Sequence, residues 1–280
     1  MIPFLIALQV FSPSDPTGLR PLYEQAIELR KSRHGEASAE AAAAMADYGR
    51  FLSRISDPAA HEWLSRALTI RESLDDEQAL ALSLERTDRP RAEALHQEVG
   101  EKAKGELAAV SWSRLANSAE GRNATPLAER AYRAAVAASV NEEKLAIRLN
   151  ELALFLKGKG SLKEAEPLLR RAVGIQQKGM GAKSPELGAT LNNLSGLLLD
   201  LKRPAEAEPH ARRAIEIFEG TLGLTHVRTG IAASNLADVL SARGLNAEAF
   251  KRYKQALVIF EKELGPDHAW TRDVREALRP

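Results

Sequence analysis

Leu152, Leu194 and Leu236 stand 42 positions apart, and so do two sets of alanines, Ala165, Ala207 and Ala249, then Ala172, Ala214 and Ala256. Nothing else in the chain constrains its fold so tightly, because recurrence at a fixed period means one supersecondary unit stacked on copies of itself. The surroundings recur too. Leu149 to Ala153 reads LNELA, Leu191 to Ser195 LNNLS, and Ala233 to Ala237 ASNLA. Glu164-Ala165-Glu166-Pro167 returns as Glu206-Ala207-Glu208-Pro209, and Gly181, Gly223 and Gly265 mark the same connection in each unit.

Inside a unit the apolar residues follow helical spacing. Leu191, Leu194, Leu198 and Leu201 form one stripe, and Ala207, Ala211, Ala214, Ile215 and Phe218 a second. Start signals separate the two helices: Ser161 with Glu164 matches a capping box, and Ser184-Pro185 places an N-cap before a proline. Thr125-Pro126 and Asp57-Pro58 give similar signals earlier in the chain. Alanine at the crossing lets two helix axes approach while a larger side chain fills the neighbouring hole. Each unit is therefore expected to be a helix-turn-helix hairpin, and the fold class all-α.

With these residues in view, the chain resembles the tetratricopeptide repeat, and its last three units look like the 42-residue kinesin-light-chain variety. The resemblance rests on Thr190-Leu191-Asn192-Asn193-Leu194, on the linker Leu264-Gly265-Pro266-Asp267-His268, and on small residues at Ala153, Ser195 and Ala237. It implies a right-handed superhelical solenoid that binds a protein or peptide partner along a concave groove.

Towards the N-terminus the pattern decays. Leu115-Ala116, Ala128, Tyr132 and Ala135 repeat the spacing of the next unit at an offset of 37. Ala60, Leu64 and Ala67 mark another second helix, with a first helix expected over about 37–55. Tyr23 and Ala26 belong to a second helix without a partner, and 75–103 reads as a degenerate hairpin broken at Asp88-Arg89-Pro90. The expected organisation is one continuous array: degenerate repeats over 1–104 with an apolar N-terminal cap, regular repeats over 105–268, and a capping helix over 269–280.

Lys plus Arg (39) nearly equals Asp plus Glu (38), a formal charge of +1. Nucleic-acid binders draw most of their affinity from a basic excess, so no nucleic-acid partner is expected. The absence of cysteine removes disulfides, thiol nucleophiles and Cys-ligated zinc, and fits a reducing cytoplasm. No apolar run approaches the roughly 20 residues that span a bilayer. Residues 1–11, MIPFLIALQVF, have two readings, a cap on the first helix or the remnant of an export signal. Cytoplasmic location is expected, with export left open.

Catalytic patterns are missing. His34, His61, His96, His210, His226 and His268 include no HExxH pair, and His226 and His268 belong to the linker motif. Gly158-Lys159-Gly160-Ser161 lacks phosphate-loop spacing, and Gly179-Met180-Gly181 falls between units. No enzyme activity, metal or cofactor is expected. Glu166 with Arg170 and Glu208 with Arg212 stand at i,i+4, which reads as solvated outer surface; the Arg170, Arg212 and Lys254 column would alternatively face an acidic partner. Trp112 falls near a packing position, and Trp270 would cover the last hairpin.

The resemblance places ligand contacts on the first helices of the hairpins. The candidates are Asn150, Asn192, Asn193 and Asn235, with Lys157, Leu199 and Asp238 beside them. An asparagine amide both donates and accepts, so a ladder of them can hold an extended peptide's backbone while neighbouring columns choose its side chains. The same asparagines could instead bridge neighbouring helices. Glu151 breaks one column, and Gly196 with Leu199 makes the middle of the groove smaller and less polar than its ends. Two other roles stay open: a regulatory or sensor module acting on an enzyme or transcription factor, and self-association into a homo-oligomer. An enzyme built on a helical solenoid would need a catalytic acid in a cleft and a separate compact domain, and the sequence shows neither.

Overall fold

The start signals and the repeat columns are visible at once in the backbone. A computed structural model describes residues 16–179 and 183–279; the expectations placed on residues 1–11 and on Gly181 lie outside them. After a 3₁₀ turn at Pro16–Leu19, fourteen α-helices and no strand occur among the described residues. They are α1 (Arg20–His34), α2 (Ala39–Arg54), α3 (Ala60–Ile70), α4 (Leu74–Leu84), α5 (Arg89–Lys102), α6 (Gly105–Gly121) and α7 (Thr125–Ala138). Then come α8 (Glu142–Gly158), α9 (Leu162–Gly179), α10 (Pro185–Asp200), α11 (Pro204–Thr221), α12 (Val227–Ala242), α13 (Asn246–Glu263) and α14 (Ala269–Ala277). Among the described residues, no helix is long and apolar enough to cross a membrane.

Two compact units divide after Ala138, inside the span expected to be regular repeats. The first contains α1 and three hairpins, α2/α3, α4/α5 and α6/α7. Its core gathers Ile27, Met45, Phe51, Leu52, Leu64 and Leu80, and Tyr23 stacks on Tyr48 and Phe51 with ring centroids 5.3 and 4.9 Å away. Trp112 lies over Gly100, where a Cβ would come within 2.7 Å of the indole. The degenerate hairpin breaks where proline requires: Asp88 caps α5 by accepting from Arg91 N, and Pro90 sits in its first turn. At Asp57-Pro58 the helix starts later, at Ala60. There Asp57 accepts from Ala59 N at 2.8 Å and pairs through its other oxygen with Arg20. One charge is fully buried: Asp76 is matched by Arg50 and by Arg71, the latter at 2.9 Å.

The second unit stacks α8/α9, α10/α11 and α12/α13 and ends on α14. Leu152, Leu194 and Leu236 and both alanine columns are buried, as helix crossings need. A further pair of columns shows how large and small residues are matched. Gly188 faces Phe218 and Gly230 faces Phe260, with an added Cβ only 3.1 and 2.7 Å from the rings. One unit earlier the equivalent positions are Ala146 and Gln176, both buried.

Other columns explain the connections. Ser184, His226 and His268, 42 apart, are the N-caps of α10, α12 and α14. The Ser184 hydroxyl accepts from Leu187 N at 3.1 Å, and Nδ1 of His226 accepts from Arg228 N at 3.0 Å. The two linker histidines thus serve as acceptors at helix starts. At the bend inside each hairpin, Asn123, Gly160, Lys202 and Gly244 take φ of 59°, 80°, 61° and 75°. Three of these are glycine or asparagine, the residues that tolerate this region; Lys202 is neither.

On the second helices, the i,i+4 pairs form, Arg170 with Glu166 and Arg212 with Glu208, both at 2.7 Å. Each carboxylate also takes an arginine from the next hairpin. Arg203 reaches Glu166 at 2.7 Å, Arg243 reaches Glu208, and Arg212 donates to Glu248 at 2.6 Å. This face therefore joins successive hairpins. Lys254 departs from its column and lies 4.6 Å above the Phe250 ring.

Candidate functional site

The first helices of the second unit, α8, α10 and α12, each turn one asparagine-bearing face the same way. Asn150 lies on α8, Asn192 and Asn193 on α10, and Asn235 on α12, all half-buried. The amides meet diagonally between neighbouring helices. Nδ2 of Asn193 donates to Oδ1 of Asn150 at 2.9 Å. Nδ2 of Asn235 donates to Oδ1 of Asn192 at 3.0 Å and to its backbone carbonyl at 3.1 Å. Bridging within the scaffold is thus real. It uses one oxygen lone pair of Asn150 and of Asn192 and leaves the donor capacity of those two amides to the groove.

Beside this ladder a hollow of about 340 Å³ opens between α10, α12, α13 and α14. Lys157, Asn192, Asn193, Asn235 and Asp238 line it, so five of the seven sequence candidates meet there. Asn150 touches the group through Asn193. Leu199 is half-buried on α10 and does not line the hollow. Gly196 does, and a Cβ there would stand 3.4 Å from Nζ of Lys157 and 3.6 Å from Oδ1 of Asn235. Both are ordinary van der Waals distances, so the lysine and the amide lie directly over this position of α10. Nζ of Lys157 pairs with Asp200 at 3.1 Å.

Sequence reasoning missed the far wall. Tyr253, Trp270 and Asp273 line the same hollow. The hydroxyl of Tyr253 donates to Oδ1 of Asp238 at 2.5 Å. Asp238 is exposed at the mouth of the hollow, yet the groups around it desolvate its carboxyl enough to push it above the usual carboxylate range, while the tyrosine bond pulls the other way. Burial, reinforced by the same bond and the carboxylate's charge, raises the Tyr253 hydroxyl well above its ordinary value. Trp270 is 44% exposed, tilted against Phe260 with centroids 5.8 Å apart and edge-on to His268 at 5.1 Å. It covers the last hairpin as expected and also shows a free face. A signal existed for both aromatics. Tyr253 follows Leu169 and Ala211 in its column, and Trp270 follows Glu186 and Arg228.

The first unit has a comparable hollow of about 320 Å³ lined by Glu85, Glu93, His96 and Arg114. Its acids are matched internally. Nε2 of His96 lies 3.2 Å from Glu85, which Arg114 approaches at 3.6 Å, and this bond from His96 holds the Glu85 carboxyl below its usual value. Glu93 accepts from Ser118 and Arg122, each at 2.6 Å. Among the described residues no group of three His, Asp or Glu is placed to hold a metal.

The tetratricopeptide repeat family matches residues 144–220 and 228–278. Among solved structures, the chain is similar to BtubC (BKLC) from P. vanneervenii, with 21% identity over 87% of this chain and 92% of that one, at a TM-score of 0.60. It is similar to a kinesin-light-chain-like protein of Podospora anserina with nearly identical TPR-like repeats, at 22% identity over 68% of this chain and 96% of that one, TM-score 0.56. It is also similar to YrrB, a TPR protein with an unusual peptide-binding site, at 18% identity over 77% of this chain and 99% of that one, TM-score 0.55. At these identities the likeness shows the fold. No curated protein matches the chain in sequence.

Proposed function

Because tetratricopeptide repeats make up residues 144–220 and 228–278, we propose that this chain is a non-catalytic scaffold that holds a protein or peptide partner against the first helices of its second unit. Repeats of this kind generally serve as binding surfaces. The observation that carries the reading is the amide ladder, in which Asn193 bridges to Asn150 and Asn235 to Asn192 at the rim of an open hollow. The bridges fix the side-chain rotamers, so the remaining donors and acceptors meet an extended backbone without paying again for their order. Lys157, Gly196 and Asp238, which differ from one helix to the next, would then select the side chains of the bound segment.

The test is affinity capture from the source lysate with the wild-type chain and an Asn192→Ala/Asn193→Ala/Asn235→Ala variant of matched helicity. Loss of the captured partner by the variant places recognition on the ladder. Equal capture by both would move the interface elsewhere and leave the asparagines as scaffold alone.

A further inference from the structure

We propose that the hollow at the C-terminal end of the second unit selects a partner segment carrying an arginine or lysine, whose cation lies between the carboxylates of Asp238 and Asp273 and against the open face of Trp270. The inference rests on the groove reading above and adds what the groove chooses.

The charge balance of the lining points one way. Lys157 is the one basic residue among the lining residues, and it is already paired with Asp200 at 3.1 Å. Asp238 and Asp273 then remain as formal negative charges. Asp238 is held by the neutral hydroxyl of Tyr253, which can donate a hydrogen bond but cannot cancel a charge. A segment seated on the asparagine ladder must cover this corner. Covering a carboxylate with apolar or neutral groups removes water without a counter-charge, which is strongly unfavourable; covering it with an acidic residue is worse. A cation turns the same burial into a charge-assisted hydrogen bond. Desolvation raises the exposed Asp238 carboxyl above its usual range, and no basic group lowers it.

The aromatic wall supplies the second half of the site. Trp270 is braced from behind by Phe260 and at its edge by His268, yet stays 44% exposed. A rigid indole face beside carboxylates suits a guanidinium or ammonium, whose alkyl stem packs on the ring while its charge meets the acids. The first unit offers a contrast, since its hollow already joins Glu85 to His96 and Arg114 and Glu93 to Arg122.

The experiment uses the full chain and four pools of fluorescein-labelled octapeptides, identical in their mixed flanks and fixed at one central position as Arg, Lys, Gln or Glu. Binding is read by fluorescence anisotropy. The Arg and Lys pools should bind at least about tenfold more tightly than the Glu pool, and added salt should narrow the gap. Asp238→Asn/Asp273→Asn keeps an acceptor for Tyr253 and should reduce the preference to within about twofold. Trp270→Leu should weaken the cationic pools alone. Equal or tighter binding of the Glu pool, or a preference unchanged in the Asp238→Asn/Asp273→Asn variant, would overturn the inference. If the pools bind without charge preference and Asn192→Ala/Asn235→Ala abolishes binding, the groove reading stands and this inference falls. If no pool binds, both fall.

Discussion

Nδ2 of Asn193 donates to Oδ1 of Asn150 at 2.9 Å, joining two residues 43 positions apart, and Asn235 repeats the bond to Asn192 one hairpin later. The period of the sequence is 42, so each bond crosses from one column to the next and the ladder runs diagonally over the helices. Asn150→Ala and Asn193→Ala should each cost about 0.5–1.5 kcal/mol, and the two together less than their sum. Urea unfolding of the double-mutant cycle checks this. Strict additivity would show that the bond contributes nothing in solution.

Gly230 leaves no room for a side chain, since an added Cβ would stand 2.7 Å from Phe260 and 3.1 Å from Ile259. Gly230→Ala should destabilise the second unit by about 1–3 kcal/mol. Trimming the ring by Phe260→Leu in the same chain should make the glycine replacement cheaper than it is alone. Thermal melts of the two singles and the double decide the matter.

Lys202 occupies, at φ 61°, the bend position where Gly160 and Gly244 stand in the neighbouring hairpins. A side chain there strains the backbone, so Lys202→Gly should stabilise by about 1 kcal/mol. Gly244→Ala should cost a similar amount. A Lys202→Gly variant that melts earlier than wild type would refute the assignment.

The carboxylates that join the hairpins set the response to acid. Hydrogen bonds from Arg203 and Arg212 hold Glu206 and Glu248 below the usual glutamate value. Burial pushes Glu166 upward, but the bonds from Arg203 and Arg170 outweigh it and leave it lowered as well. Carboxylates with depressed folded values contribute stability that is present above the unfolded glutamate pKa of about 4.3 and lost as pH falls through the folded values. The melting temperature should therefore drop below about pH 4, and Glu248→Gln should flatten that drop while lowering stability at pH 7.

The repeat was legible because its cause is local and periodic. Leucine and alanine at fixed columns leave one stable arrangement for each hairpin, and Ser184-Pro185 and Asp88-Arg89-Pro90 announce where helices start or break. Helices expected at about 37–55 and over 269–280 are found at Ala39–Arg54 and Ala269–Ala277. The asparagine candidates were legible as columns, yet their diagonal pairing was not, since it depends on the offset at which α8, α10 and α12 lie side by side. The same holds for the outer arginines. Sequence spacing pairs Arg170 with Glu166 four residues away, whereas the contact of Arg203 with Glu166 spans 37.

The sequence by itself determined the secondary structure, the hairpin unit and the core columns, because hydrophobic period, caps and left-handed bends act within a few residues of one another. Only the tertiary structure decided which polar groups face each other across helices. Tyr253 meets Asp238, and Trp270 lines the same hollow, because α13 packs on α12 and α14 on α13. That packing is a property of side-chain volumes meeting in space, such as Gly230 against Phe260: the columns repeat along the chain, but only the packed helices show which ring meets which glycine.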